Sequence, residues 1–195
     1  MHDSPRETYR GRALVKFPED LRTYQHVIEA SRPSVIVELG SWQGGSALWF
    51  ADQLRALCGG GHVISVDLEL LSGVSDPDVT FLTGDATAGW IVSAVRDLVG
   101  DEPCMVVEDS AHTYPITRGV LNAYAPMVTE GQWLVVEDGV VDDEDLRTDA
   151  HWPRGVTPAL EEFLATDVGS AFERHWLDPY VLTCHPGGWL RRTHA

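Results

Sequence analysis

Two copies of one tetrapeptide, Val106-Val-Glu-Asp109 and Val135-Val-Glu-Asp138, each set adjacent acids at the end of a short apolar run. If both runs are parallel strands of one sheet, the two acidic pairs finish on the same edge. Successive strand side chains point to opposite faces, so all four acids do not converge unless the chain has begun to leave strand geometry. With that allowance, Asp109, Glu137 and Asp138 make a hard oxygen site suited to Mg²⁺, or another hard divalent cation, with some water retained. Acids at strand ends also cap helices or hold loops, and that alternative stays open. Just beyond Asp109 stands His112, where a neutral imidazole could take a proton from a substrate hydroxyl. It could equally be a fourth ligand, or a loop histidine bonded to backbone.

A second group lies upstream. Val35-Ile-Val reads as a buried strand and Glu38 follows it. Gly40, Gly44 and Gly45 then form a turn before a helix with Ala47, Phe50, Ala51 and Leu54 on one face. Strand, glycine turn and helix N-terminus together make a nucleotide cradle. Asp67 ends the next strand about twenty residues past the glycines, where a carboxylate can accept from two ribose hydroxyls. Either a dinucleotide or S-adenosylmethionine suits that spacing. Three details favour S-adenosylmethionine. Gly40-Ser-Trp-Gln-Gly44-Gly45 lacks the Gly-x-Gly-x-x-Gly pattern. Glu38 would repel a pyrophosphate but accept from an amino-acid ammonium. Asp85, in the Gly84-Asp85-Ala86 turn after the third strand, could reach an adenine amine. A glycine turn with caps and no cofactor is the bland alternative. Trp42, inside the turn, borders either cofactor or substrate.

These residues need a scaffold that brings strand ends together. Pro18 opens a helix carrying Leu21, Tyr24 and Ile28, after an N-terminal arm over residues 1–15. Further strands are expected at His62–Asp67, Val79–Thr83, Cys104–Asp109 and Gln132–Asp138. Helices between them present Ile91, Ala94, Val95 and Leu98, then Val120, Tyr124 and Met127. A later helix, capped by Thr157 with Pro158 first, presents Leu160, Phe163 and Leu164. Residues 139–152 are acidic and irregular and resemble a lid with Trp152 as an apolar wall. From Ala171 to Arg192 the pattern reads as two antiparallel strands. The alternation implies an α/β fold with a mostly parallel sheet, helices on both faces, and ligands at the strands' carboxyl ends. His175, His185 and His194 are expected at the surface or on strands. Trp49, Trp90, Trp133, Trp176 and Trp189 are assigned to the core.

At 195 residues one domain is expected, spanning 1–195. Fourteen basic against thirty acidic residues give a formal charge of −16, which would repel a phosphate backbone and argues against nucleic acid as a partner. No apolar run has the length of a membrane span, and the first residues do not read as a signal peptide. Three scattered cysteines fit reduced thiols in a cytoplasm.

Lys16-x-Pro-x-Asp-Leu21, Glu38-Leu-Gly-x-x-x-Gly-Gly-Ser46, Asp67, Asp109-Ser-x-His112, Glu137-Asp138 and Leu182-Thr-x-x-Pro-x-Gly-x-Leu190 occur in that order. Together they resemble the cephalosporin-hydroxylase-like family, related to the macrocin-type sugar O-methyltransferases. The resemblance covers about residues 14–192 and implies a Rossmann-like class I methyltransferase with seven strands, the last antiparallel. It implies cofactor contacts at Glu38, Gly40, Ser46, Asp67 and Asp85, to which Trp42, Gly44 and Ala86 are added. It implies metal binding at Asp109, Glu137 and Asp138, and it suggests a homo-oligomer. One position departs: the family's Asp-Ser-Asp-His has Ala111 in place of its second Asp, a proposed base in the sugar enzymes. Either His112 serves as base, or the scaffold does other chemistry. The expectation is Mg²⁺-dependent methylation of a hydroxyl on a small natural product, a sugar diol or catechol. The rivals are a cofactor-binding accessory protein or a non-methylating enzyme, and more weakly an NAD-dependent dehydrogenase.

Overall fold

In the protein's structure, a computed structural model, residues 7–69, 71–146, 151, 155–177 and 182–194 are described. Seven strands form one sheet: β1 Val35–Leu39, β2 His62–Asp67, β3 Val79–Thr83, β4 Cys104–Glu108, β5 Trp133–Val136, β6 Phe172–His175 and β7 Trp189–Arg192. Their order is β3-β2-β1-β4-β5-β7-β6, with β7 antiparallel to both its neighbours and β1 to β5 parallel. The expected class I architecture is borne out, including the antiparallel last strand. The strand order reverses between β1 and β4, the crevice where open α/β sheets take their ligands.

The helices are α1 Pro18–Ser31, α2 Gly45–Gln53, α3 Gly89–Val99, α4 Tyr114–Tyr124 and α5 Val156–Leu164. They cover the sheet on both sides. Val35, Val37, Leu39, Val106 and Val136 face the core under α3, α4 and α5. Ile36, Met105, Val107 and Val135 pack with Tyr24, Ile28 and Phe50 of α1 and α2. Side-chain alternation therefore sends Glu38, Asp109 and Glu137 toward the α1 side, and Glu108 and Asp138 toward the other. Among the described residues no helix is long and apolar enough to cross a membrane.

Several expectations are corrected in detail. Val92 and Val99 complete the buried face of α3, whereas Leu98 is exposed. Trp90 and Trp176 are also exposed, because they sit at an element's edge rather than on its inward face. Thr157 lies inside α5, whose N-cap is Gly155. The cap is supplied from a distance: Asp142 accepts from the Gly155 N–H at 2.7 Å and the Thr157 N–H at 2.6 Å. Part of the acidic 139–152 segment is thus tied to α5; Trp152 lies outside the described residues.

The arm is docked. Thr8–Tyr9 pairs with Arg12–Ala13 across a turn in which Arg10 and Gly11 both have positive φ, 49° and 78°. Tyr9 donates to Asp52 at 2.8 Å and Arg10 to Asp76 at 2.7 Å. A Cβ on Gly45 would lie 2.1 Å from the Ala13 carbonyl oxygen, so only glycine lets the ribbon reach the first turn of α2. This contact delivers Val15 and Lys16 to the sheet's carboxyl edge.

Burial would raise the Asp76 carboxyl, but the Asp78 N–H, Arg10 and Arg55 outweigh it and hold it below its ordinary value. With the folded value depressed, its contribution is present above the ordinary carboxylate range and is lost as pH falls through the lower folded value. Amide exchange over residues 8–13 is therefore expected to speed up, relative to the sheet, as Asp76 is protonated below the ordinary carboxylate range. An Asp76→Asn chain should show the faster exchange already at pH 7.

Candidate active site

A cavity of about 550 Å³ opens at the carboxyl edge, where the chain leaves β1, β2, β3, β4 and β5. Of the predicted cofactor residues, Gly40, Trp42, Ser46, Asp67, Asp85 and Ala86 line it. Glu38 and Gly44 lie behind the lining. Gly44 is the left-handed N-cap of α2, with φ 80°. Glu38 is fully buried; one oxygen accepts from Ser65 at 2.5 Å, and Oε1 has no hydrogen-bond partner in the protein. Burial pushes its pKa up, against the pull of Lys16. An orphaned buried acceptor under a glycine turn, beside a cavity of this size, fits a ligand that carries donors.

Gly40 has φ 105°, and a Cβ there would lie 1.9 Å from the Asp109 carbonyl oxygen. The turns after β1 and β4 are thereby pressed together. Asp67 secures the cradle from its other side, accepting from the Trp42 N–H at 2.7 Å and the Glu69 N–H at 3.0 Å. Each of its oxygens keeps a lone pair that a ribose hydroxyl could use.

Facing the cradle are Asp109, His112 and Asp138, which can each offer a ligating atom within 4.8 Å of the others. His112 Nε2 lies 3.6 Å from Asp109 Oδ1 and 3.4 Å from Asp138 Oδ2. Strand parity alone would send Asp138 to the other side of the sheet. A left-handed φ of 55° turns it back, and His112 (52°) and Trp42 (43°) share that conformation. Such backbone costs about 1–3 kcal/mol per residue and is kept where the surroundings enforce it, and three of the five such non-glycine residues among those described lie around this candidate site.

Glu137, the third predicted ligand, sits beneath this group. Its Oε1 accepts from Lys16 Nζ and from the Tyr24 hydroxyl, both at 2.5 Å, and Lys16 Nζ also reaches Asp109 Oδ2 at 2.8 Å. His185, expected at the surface or on a strand, is on no strand and is 2% exposed. Its Nδ1 accepts the Asp138 N–H at 3.0 Å, and its Nε2 lies 3.6 Å from Glu137 Oε2 and 3.7 Å from Asp20 Oδ2. It is buried because it holds the backbone of Asp138 in place. The sequence carries Lys16 only as the first residue of the Lys16-x-Pro-x-Asp-Leu21 motif and gives no site role to Tyr24 or His185. A partial signal existed for Tyr24: a tyrosine on the apolar face of α1 brings a hydroxyl that must find a buried partner.

The charges divide accordingly. Burial would lower the Lys16 ammonium, but Asp109, Glu137 and Glu38 hold its pKa up. Burial would raise Glu137, but Lys16 and His185 hold it down. Asp109 is raised well above its ordinary value by burial and then by Glu137, and Asp138 is raised by the same two causes. Burial lowers His112, which favours the neutral ring. Glu108, on the opposite face, is pushed up to about 7 by burial although Ser110 hydrogen-bonds it at 2.8 Å. Carboxylate oxygens are hard donors that fit a divalent cation, with the imidazole of His112 a borderline donor beside them, and the Lys16 ammonium already stands as a cation between Asp109 and Glu137. Tyr24→Phe should cost about 1–3 kcal/mol in urea unfolding, because Glu137 loses a donor where water cannot replace it.

The profile of the family described as Rhamnosyl O-methyltransferase/CmcI matches residues 4–193. A rhamnosyl O-methyltransferase of Mycobacterium leprae (strain TN) is 32% identical over 136 residues, covering 67% of this chain. The match spans 59% of that relative's length. A CmcI structure solved with Mg and SAM has TM-score 0.71 at 22% identity, covering 98% of this chain and 82% of its own. The MycE methyltransferase of the mycinamycin biosynthetic pathway, in complex with Mg and SAH, has TM-score 0.66 at 16% identity, covering 89% and 48%. At these identities the two structures speak to the fold.

Proposed function

The chain belongs to the Rhamnosyl O-methyltransferase/CmcI family, and from that membership we propose that it transfers a methyl group from S-adenosylmethionine to a hydroxyl of a small natural product. The acceptor we favour is a sugar-bearing molecule with neighbouring oxygens, and we propose that a divalent cation, Mg²⁺ or a similar hard ion, assists. The rhamnosyl relatives support the sugar, and the Mg-bound neighbours support the ion. The single observation that carries the reading is one cavity lined both by the cradle residues Gly40, Ser46, Asp67 and Asp85 and by Asp109, His112 and Asp138. When bound, S-adenosylmethionine supplies the methyl group and the cation supplies Lewis acidity toward the acceptor oxygen.

The protein's own residues do the rest. Asp67 would accept from the ribose hydroxyls and Asp85 from the adenine amine. Trp42 walls the cavity, and Glu38, buried behind the lining, would supply the negative field that the ammonium end meets. Asp109, Glu137 and Asp138 are the residues that would hold the cation. His112 Nε2 would take the acceptor's proton as the oxygen–methyl bond forms and the sulfur–methyl bond breaks, S-adenosylhomocysteine leaving. The carboxylates of Asp109 and Asp138 lie 3.6 and 3.4 Å from that nitrogen. Positioning supplies the larger part of the rate, since well-aligned pairs reach effective molarities of roughly 10⁵–10⁸ M against about 10²–10⁴-fold for a base. An alanine at position 111 is therefore compatible with turnover. We read the chain as one catalytic domain of the cytoplasm, a reading that its free Cys58, Cys104 and Cys184 support. The dehydrogenase alternative has no support in this family.

The test uses tritiated methyl donor with rhamnosides and vicinal diols, with and without EDTA. Label should pass to the acceptor, stop on chelation and return with Mg²⁺. Activity indifferent to EDTA would remove the cation's role. Tight cofactor binding with no acceptor labelled would favour the accessory-protein reading.

A further inference from the structure

We propose that Lys16 is a built-in counter-cation that sets how tightly the acidic edge holds a divalent ion. The proposal rests on the metal reading given above and concerns this chain's own residues toward that ion. Lys16 comes from the junction of the docked arm and α1, far in sequence from the acids, and its side chain is 2% exposed. Its ammonium touches two of the three carboxylates, Asp109 at 2.8 Å and Glu137 at 2.5 Å.

Two consequences follow from that placement. The first is charge. Asp109, Glu137 and Asp138 carry three negative charges when ionised, and Lys16 leaves a net of two, which is what a divalent ion neutralises. The second is orientation. Lys16 occupies Asp109 Oδ2, so that Oδ1 is the oxygen turned toward His112, 3.6 Å away. Lys16 also shares Glu137 Oε1 with Tyr24, leaving Oε2 toward His185. Lys16 is thus a positioning residue that weakens ion binding by its charge and aligns the ligand by its hydrogen bonds.

A purely structural lysine would behave differently, since removing it would weaken the fold and the ion site together. The proposal predicts opposite signs for affinity and turnover. MgCl₂ or MnCl₂ is titrated calorimetrically, at low ionic strength and pH 8, into the native chain, Lys16→Gln and Lys16→Arg. Lys16→Gln should bind the ion at least about tenfold more tightly, because a positive charge a few ångströms away is gone. Its methyl transfer should nevertheless fall, as Asp109 loses its alignment. Lys16→Arg, which keeps the charge, should stay near the native affinity. A Lys16→Gln chain that folds only in the presence of the ion would also support the proposal. Unchanged or weaker binding by folded Lys16→Gln would overturn it, as would a chain that stays unfolded with or without the ion. A native chain that binds no divalent ion would overturn the metal reading itself, and this proposal with it.

Discussion

Replacing His112 by alanine is expected to cut kcat by about 10²–10⁴-fold while the affinity for S-adenosylmethionine stays close to native. The separation follows from geometry. His112 lies on the Asp109 and Asp138 side of the cavity, whereas Asp67, Trp42 and Asp85 lie on the cradle side. Burial depresses the imidazole, so the neutral, proton-accepting ring is the form present at neutral pH. Acidification protonates it and removes the base, giving the native rate profile an acidic limb. That limb should disappear in His112→Ala. Its survival in the variant would clear His112 of the role.

Gly40→Ala should have a large effect for a single methyl group. The new Cβ would lie 1.9 Å from the carbonyl oxygen of Asp109, and φ 105° is itself unfavourable for alanine. Crowding and strain together should cost about 3 kcal/mol or more in urea unfolding. The relief available is to push the β4 turn away, which moves Asp109, so ion and cofactor binding should be lost with stability. Gly59 is the natural control. Its φ is 84° but no atom lies within 4 Å of the added methyl group, so Gly59→Ala should cost about 1 kcal/mol, from strain alone. Equal costs at the two positions would mean that the turns after β1 and β4 are not pressed together.

Much of this architecture could be read from local pattern. The apolar runs of β1 to β5 and the breaks at Gly59 and Gly100 depend on neighbours in the chain, and they stand where the sequence placed them. Parity also warned that the four acids would not all converge, and Glu108 does point away. What local pattern could not supply were contacts made across the chain. Lys16 meets Glu137 over a separation of 121 residues, and His185 meets the Asp138 backbone over 47. Local pattern does not distinguish His185 from a surface residue, and Lys16 stands out only as the first residue of the Lys16-x-Pro-x-Asp-Leu21 motif. Asp142 had the same effect on α5, supplying a cap that local reading assigned to Thr157. The left-handed turn at Asp138 was foreseeable only as a possibility, because its cause is the buried His185.

Cofactor and cation are expected to share one cavity, and paramagnetic relaxation reports that directly. S-adenosylmethionine carrying a ¹³C-labelled methyl group is bound to the native chain, and Mn²⁺ is added. Strong relaxation of the methyl carbon is predicted, abolished in Asp138→Asn. Saturated binding of both ligands with no enhanced relaxation of that carbon would contradict it.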